Sequence, residues 1–415
     1  MKGSENDLQA AARELFARGV AAADPGRAVA RHLDAALAAP PGPGGRWQLI
    51  ALGKAARAMA EAALAGLPPG TPALVVTTHE AARPLAGAVV LAAAHPVPDA
   101  DGERAGRAVE AVLAAQRPAD RVLALISGGG SALLPTPAPG IGLADKVLVN
   151  RLLLASGADI YQMNLVRQAL SRLKGGGWLR ASAAPVTALI LSDVPGDDLR
   201  VIASGPTVAP LGSRAEAAAL LRALGLWAVL PVPVRDFLAA PAPPAPVMPA
   251  ARNVLIGSNA LSLAAMAANG ASIAPFALRG DVADMAREIV ATLGAMVPGR
   301  TLVAGGETTV RVRGSGLGGR NQELALRVAL GAEAAGLRGD WAFLAAGSDG
   351  RDGPTEAAGA VVGPATLAAM RRAGFDPVAH LTANDSHPAL AAAGALLLTG
   401  ATGTNVADLA VLARG

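Results

Sequence analysis

Six short, polar, glycine-rich segments hold most of the side chains in this chain that could do chemistry. They read GKAAR from Gly53, SGGGS from Ser127, SDVPGDD from Ser192, GSN from Gly257, GGE from Gly305 and GSDGRDG from Gly347. Each follows an apolar run, and ligands of open α/β sheets collect beyond the carboxyl ends of strands. In Ser127, Gly128, Gly129, Gly130 and Ser131, three glycines let backbone N–H groups turn toward an anion, and two hydroxyls add donors. That composition suits a phosphate cradle at a helix start, and it equally suits a bare strand-to-helix turn. No G-x-x-x-x-G-K-[ST] loop occurs. Lys54 is one of only four lysines, against 32 arginines, and stands directly after a strand and Gly53. That position marks it as a phosphate ligand rather than a solubilising charge. Lys174, beside Gly175, Gly176 and Gly177, is a second candidate for the same role. Asp193, Asp197 and Asp198 end one strand, and Asp349 and Asp352 end another. A carboxylate there can take a proton from a hydroxyl or hold Mg²⁺, although turns use Asp, Pro and Gly as well. Asp193 and Asp349 are preferred, each being the first carboxylate after its apolar strand.

Gly314, Gly316 and Gly319 satisfy G-x-G-x-x-G. A dinucleotide fingerprint needs a buried parallel strand before it, and what precedes it is VRVR, with an arginine at every second position. Asp340 lies about 20 residues on, the usual offset of a ribose-binding acid, but it follows a helix and a loop. The loop is therefore disfavoured as a nicotinamide site. Arg320 follows it in GGRNQE, and an arginine among glycines at a helix start suits contact with an oxyanion. The five histidines show no metal-ligand spacing, and His95 and His387 sit in proline turns.

The elements that must position these groups alternate. Ser4 caps a first helix with Leu8, Ala12, Leu15 and Phe16 at helical spacing, and Asp24-Pro25 opens a second. WQLIAL, ALVVTT, VLALIS and VTALILS are apolar throughout, which marks strands covered on both faces. Helices stand between them over 54–67, 103–116 and 144–156. The proline-dense APAPPAPVMP, Ala240 to Pro249, reads as the main boundary. The expected domains are therefore 1–238, a linker at 239–251, and 252–415. After it, NVLIGSN, TLVAGGE and WAFLAAG read as further strands, and TTVRVR as a half-exposed strand paired in a hairpin after Gly305-Gly306. The fold class is α/β: a doubly wound, mostly parallel N-terminal sheet and a smaller mixed-sheet C-terminal domain.

Composition removes whole function classes. With no cysteine there is no disulfide, iron–sulfur or thiol chemistry. The pI near 10.1 accompanies a net charge of only +4 with no basic run, and only ten aromatic rings are available for stacking on bases. Nucleic acid is not an expected partner. Two uncharged stretches, 253–278 and 388–407, are long enough to span a bilayer. Both are too rich in Asn, Ser, Thr and Gly to sit in lipid. No membrane partner is expected, and the compartment read from this is cytoplasmic.

Taken together, ALGKAARAM, HPVPDADG, LISGGGSALL, RQALSRLKGGG, LILSDVPGDDLRVIASGPT, GGETTVRVRGSGLGGRNQELAL, AAGSDGRDGPTEAAGA and LLLTGATGTNVADL resemble the type II glycerate kinase family, whose C-terminal domain is called MOFRL. The resemblance covers nearly the whole chain in one order. It implies two α/β domains with the active site in the cleft between them. It also implies ATP-dependent phosphorylation of D-glycerate, with 2-phosphoglycerate as the usual product. The family's catalytic lysine falls on Lys54 and its arginine on Arg320. Asp193 then orients or deprotonates the hydroxyl, and Asp193 and Asp349 attend Mg²⁺. Ser127 to Ser131, Lys174, Asn321 and Glu307 bind phosphate or substrate. A homodimer is the assembly this reading allows. Two other classes stay open: an NAD(P)H-dependent hydroxypyruvate reductase, a label many relatives carry, and a non-catalytic sensor of sugar acids or nucleotides.

Overall fold

The computed structural model describes residues 4–241, 251–268 and 270–415. In chain order the helices are α1 (Glu5–Ala22), α2 (Pro25–Leu37), α3 (Ala56–Leu64), α4 (Ala100–Ala114), α5 (Gly130–Leu133), α6 (Leu143–Ala155), α7 (Ile160–Ala169), α8 (Gly177–Ala181), α9 (Arg214–Ala223), α10 (Val232–Ala239), α11 (Asn259–Ala267), α12 (Val282–Ala295), α13 (Arg320–Ala334), α14 (Thr366–Arg372), α15 (Pro377–Thr382) and α16 (Ser386–Ala392). The strands are β1 (Trp47–Leu52), β2 (Ala73–Thr78), β3 (Ala88–Ala93), β4 (Arg121–Ile126), β5 (Val186–Leu191), β6 (Ala251–Gly257), β7 (Ser272–Ile273), β8 (Leu278–Asp281), β9 (Thr301–Thr309), β10 (Trp341–Gly347), β11 (Gly359–Val362), β12 (Leu396–Leu397) and β13 (Asp408–Arg414). Local chemistry sets several starts. Ser4 and Asp7 form a capping box on α1, and Asp99 accepts from Gly102 N at 2.8 Å on α4.

The described residues of 25–256 form one compact unit around a six-stranded sheet of order β3-β2-β1-β4-β5-β6. The pairings from β3 to β5 are parallel, with Ile50 opposite both Leu74 and Ala124. All six residues of β1 are buried, as the unbroken apolar run requires. On one face Val109 and Leu113 of α4 and Trp178 of α8 pack over Ile50, Leu52, Ile126 and Ile190. Burying each such side chain contributes about 1.5–3 kcal/mol. On the other, α3 lies against β1 and β2, and α2 against α3 and β5. Helices α6, α7, α9 and α10 share a separate core around Leu153, Val166, Leu221 and Val234.

Residues 4–24 and 257–415 form the second unit, around a mixed sheet of order β12-β11-β10-β13-β9-β7, with β8 beside β9. β11, β10, β13 and β9 pair antiparallel, whereas β7 and β8 run parallel to β9. Side chains alternate along each strand. Leu344, Leu409 and Val411 meet Phe16 of α1 and Met266 of α11. Phe343, Ala410 and Leu412 meet Ile289 of α12 and Leu324 of α13.

Two expectations differ from this picture. The compact units do not divide at the proline-dense segment. Residues 242–249 of that segment lie outside the described residues, and the elements before and after it, α10 and β6, both belong to the unit of 25–256. Hydrogen bonding of β6 beside β5 decides this, and the apolar face of α1 carries the first helix to the other sheet. Nor is TTVRVR a hairpin strand. Thr308 and Thr309 complete β9, while Val310 to Arg313 are irregular. The N–H groups of Arg313 and Gly314 donate to Asn384 Oδ1 at 2.6 and 3.0 Å, so a side chain takes the donors a partner strand would have used. Among the described residues no helix is long and apolar enough to cross a membrane.

Candidate functional site

In the unit of 25–256, β1, β4 and β5 are neighbours in the sheet, so their carboxyl ends bring three expected segments together. The strand order reverses between β1 and β4, the position where open α/β sheets bind ligands. Two strand-end turns are bonded to one another there. Ser127 N donates to Leu52 O at 2.8 Å, Lys54 N to Gly128 O at 2.9 Å, and Ala55 N to Ser127 Oγ at 3.1 Å. Gly53 has φ +122°, and a Cβ on it would stand 2.2 Å from Ser127 Oγ. A Cβ on Gly128 would stand 1.9 Å from Asp193 Oδ2, and one on Gly129, 3.1 Å from Lys54 Cγ and 3.3 Å from His95 Cδ2. Three glycines are therefore needed so that Lys54, Asp193 and His95 can close on one stretch of bare backbone.

The electrostatics follow from that crowding. Lys54 is exposed and, among the described residues, makes no ion pair. Partial burial pushes the Asp193 carboxyl above the usual carboxylate range, against the opposing pull of Lys54. Loss of hydration pushes the His95 imidazole down, and the Lys54 ammonium adds to it. A carboxylate with raised proton affinity beside a lysine can accept a hydroxyl proton while the lysine meets an anion.

The remaining expected groups of this unit hold the turn itself. Ser127 Oγ is engaged with Ala55 N and Leu52 O. Ser131 Oγ lies 2.7 Å from Ser204 Oγ, whose hydroxyl donates to Asn164 Oδ1 at 2.7 Å. Gly130 packs against Leu52 and Ala203. Lys174 is buried and donates to Ser131 O at 2.7 Å and Leu134 O at 2.8 Å. Asp198 forms an ion pair with Arg200 at 2.6 Å, and Asp197 takes a left-handed φ of +55°, so both serve the turn. Sequence reasoning missed Asn164 and Ser204. Ala203, Ser204 and Gly205 have consecutive positive φ values of 49°, 61° and 63°, and nothing in the residue types except Gly205 signals this.

In the other unit Arg320 opens α13. Its Nε and Nη2 donate to the two carboxylate oxygens of Asp408 at 2.6 and 2.9 Å, and its Nη1 meets Glu307 Oε1 at 2.9 Å. Although burial works against it, the Asp408 hydrogen bonds raise the guanidinium's proton affinity further, so it stays charged. Asn321 Nδ2 also reaches Asp408 Oδ1, at 3.0 Å. Arg320, Asn321 and Glu307 are thus brought together, around Asp408. Asp408 went unnoticed in the sequence; the signal was a lone acid opening the apolar strand DLAVLAR, which must find a partner once buried.

Asp352 and Asp349, three positions apart, have different surroundings. The Asp352 carboxylate accepts from Asn321 N at 3.1 Å and Gln322 N at 2.8 Å, occupying the N-terminus of α13. Burial pushes its carboxyl up, against those bonds. Asp349 accepts from Arg351 N at 3.1 Å within its own loop. His387 Nδ1 lies 2.9 Å from Gln322 Oε1, a support for the same helix start. A Cβ on Gly319 would stand 2.2 Å from Asp352 Cγ, and one on Gly316, 2.4 Å from Asp385 Cβ. The G-x-G-x-x-G glycines therefore admit protein groups, and the helix start that a pyrophosphate would use is taken. Among the described residues, the one group of three side chains with metal-ligand spacing is His79, Asp99 and Asp101, at the surface. Neither Asp193 nor Asp349 is in it.

Residues 11–239 match the model of DUF4147, described as a domain of unknown function, and residues 300–408 match the MOFRL family. A protein of Agrobacterium vitis that carries the name hydroxypyruvate reductase is 41% identical over 99% of this chain and 96% of its own. A glycerate kinase of Macaca fascicularis is 41% identical over 76% of this chain and 94% of its own. The crystal structure of a glycerate kinase from Thermotoga maritima has a TM-score of 0.90 at 34% identity, covering 99% of this chain and all of that one. With both family models matched in order and relatives aligned over nearly their full length, the chain belongs to the MOFRL family that includes these glycerate kinases.

Proposed function

We propose that this protein is a kinase that transfers the terminal phosphoryl group of ATP to the 2-hydroxyl of D-glycerate, forming 2-phosphoglycerate. The observation that carries this reading is the convergence of Lys54, Asp193 and the Gly128–Gly130 backbone at the switch point of the six-stranded sheet. Phosphoryl transfer asks little covalent chemistry of the protein and much positioned charge. Lys54 neutralises phosphate charge. Asp193, with its raised proton affinity, orients the attacking hydroxyl and receives its proton as the oxygen bonds to phosphorus. The backbone N–H groups of the SGGGS turn bind phosphate or the substrate carboxylate. In the other unit Arg320, the catalytic arginine the family resemblance implies, is held charged by Asp408.

Mg²⁺ bound with the nucleotide would spread the phosphate charge. It keeps most of its ligands as water and phosphate oxygen and needs one or two carboxylates from protein. Asp193 would fit that donor set, and Asp349, whose carboxylate accepts from Arg351 N, would be the second candidate. The relative named for hydroxypyruvate reductase supports a second reading, reduction with NAD(P)H. The occupied α13 start argues against the one dinucleotide-like loop. The test is to supply D-glycerate with Mg-ATP and identify the phosphoglycerate isomer by NMR, beside an assay of NADH absorbance with hydroxypyruvate. ADP release with 2-phosphoglycerate is expected. Loss of NADH absorbance without ADP release would replace this reading with the second.

A further inference from the structure

Behind the SGGGS turn, three cations gather on neutral partners. Lys174 Nζ donates to the carbonyls of Ser131 and Leu134. Lys146 of α6 donates to the next carbonyl, Pro135 O, so the two ammonium groups sit on adjacent peptides. Arg167 of α7 places Nε and Nη2 on Asn150 Oδ1 at 2.9 and 2.5 Å, and its Nη1 has no hydrogen-bond partner among the described residues. The neighbouring acids are spoken for. Asp145 caps α6 at Gly142 N, Asp159 caps α7 at Gln162 N, and Glu110 of α4 pairs with Arg172 at 2.6 Å. Among the described residues no carboxylate forms an ion pair with Lys146, Arg167 or Lys174. Lys174 is buried, while Lys146 and Arg167 are half-buried and open the cluster to solvent.

Like charges drawn out of water without counter-charge are costly, and they relieve that cost by losing protons or by holding an anion. We infer that Lys146, Arg167 and Lys174 form a binding site for an oxyanion, the carboxylate or phosphate group of a small ligand of this protein. The inference rests on the kinase reading for the choice of ligands and on the geometry alone for the binding of an anion. Proton affinities agree with it. Burial, then Arg167, lowers Lys174 to about 7. Burial, then Lys174, Arg167 and Arg172, lowers Lys146 well below the ordinary lysine range. The acids on the packed elements, Asp145, Asp159 and Glu110, are engaged by Gly142 N, Gln162 N and Arg172. A bound anion raises both lysine proton affinities. Binding therefore takes up protons near neutral pH and weakens as pH rises.

The experiment is titration calorimetry on the whole protein with three separate probes, sulfate, D-glycerate and ADP, each in two buffers of different ionisation enthalpy. Sulfate does not itself titrate near neutral pH, so proton uptake on its binding belongs to the protein. The expected results are uptake with sulfate and affinity for one of the other probes reduced about tenfold or more in Lys146→Met and Arg167→Gln. Loss confined to D-glycerate assigns the site to the substrate carboxylate, and loss confined to ADP assigns it to nucleotide phosphate. Unchanged affinities in folded variants, or absence of proton uptake in the unaltered protein, overturn the inference. The second criterion holds even if both variants fail to fold. Turnover is measured separately. An active kinase without the calorimetric signature sinks only the anion site, and the signature without glycerate phosphorylation sinks only the kinase reading.

Discussion

The two clusters of candidate groups handle positive charge in opposite ways. In the unit of Lys54 the cations outnumber their counter-charges: Lys54 is exposed beside the Asp193 carboxylate, and Lys146, Arg167 and Lys174 rest on carbonyls and an amide. Around Arg320 each charge already has a partner, Asp408 and Glu307 for the guanidinium and the α13 amides for Asp352. The difference teaches what each region is suited to. The first has unspent donors that an anionic ligand can use. The second fixes one guanidinium in one place at high cost to any change.

That contrast can be broken most severely at Asp408, which is fully buried. Asp408→Ala leaves Arg320 without its bidentate partner and should cost about 3 kcal/mol, the low end for breaking a buried pair because Arg320 is partly exposed. Chemical denaturation measures it, and a loss below about 0.5 kcal/mol would show that the pair holds nothing. At Lys54 the effect should fall on turnover instead. Lys54→Ala should keep the native melting temperature and lose about a hundredfold or more in kcat. Near-normal turnover of the folded variant would remove Lys54 from the chemistry.

Two smaller effects sharpen the comparison. Arg320→Lys keeps the charge but cannot span both Asp408 oxygens, so about a tenfold loss of kcat/KM is expected. Full activity would mean that charge alone suffices at that position. Asp193→Asn should lower activity yet slightly stabilise the fold. The folded carboxyl titrates above its unfolded value. Its ionised form therefore costs stability above that folded pKa, and the cost vanishes once pH falls below the unfolded pKa. The gain in melting temperature should thus be present at neutral pH and absent in acid. A gain that persists in acid would assign it to something other than ionisation.

Much of the first cluster was legible in the sequence, because adjacency along a parallel sheet places successive strand ends side by side. WQLIAL, VLALIS and VTALILS announce buried strands, and the polar residues after them have nowhere else to go. Proline density was less informative. APAPPAPVMP reads as a linker by composition, but that does not make it a domain end, and β6 rejoins the same sheet after it. The VRVR alternation misled for a similar reason. Period two permits a strand, and Asn384, some 70 residues away, claimed its N–H groups.

By itself the sequence determined the apolar periodicities, the caps and the glycines where backbone must approach backbone, and these are local matters of sterics and hydration. The tertiary structure alone decided among equals. Asp349 and Asp352 differ by three positions in one loop, and only the arrival of the α13 N-terminus gave Asp352 four donors and left Asp349 with its own turn. Lys54 and Lys174 both follow or precede glycines. One points out beside a bare backbone, and the other turns inward, with two of its donors on carbonyls of the turn it supports. A side chain's type states what it can bind. What stands within hydrogen-bonding distance, set by packing between segments far apart in the chain, states what it does bind.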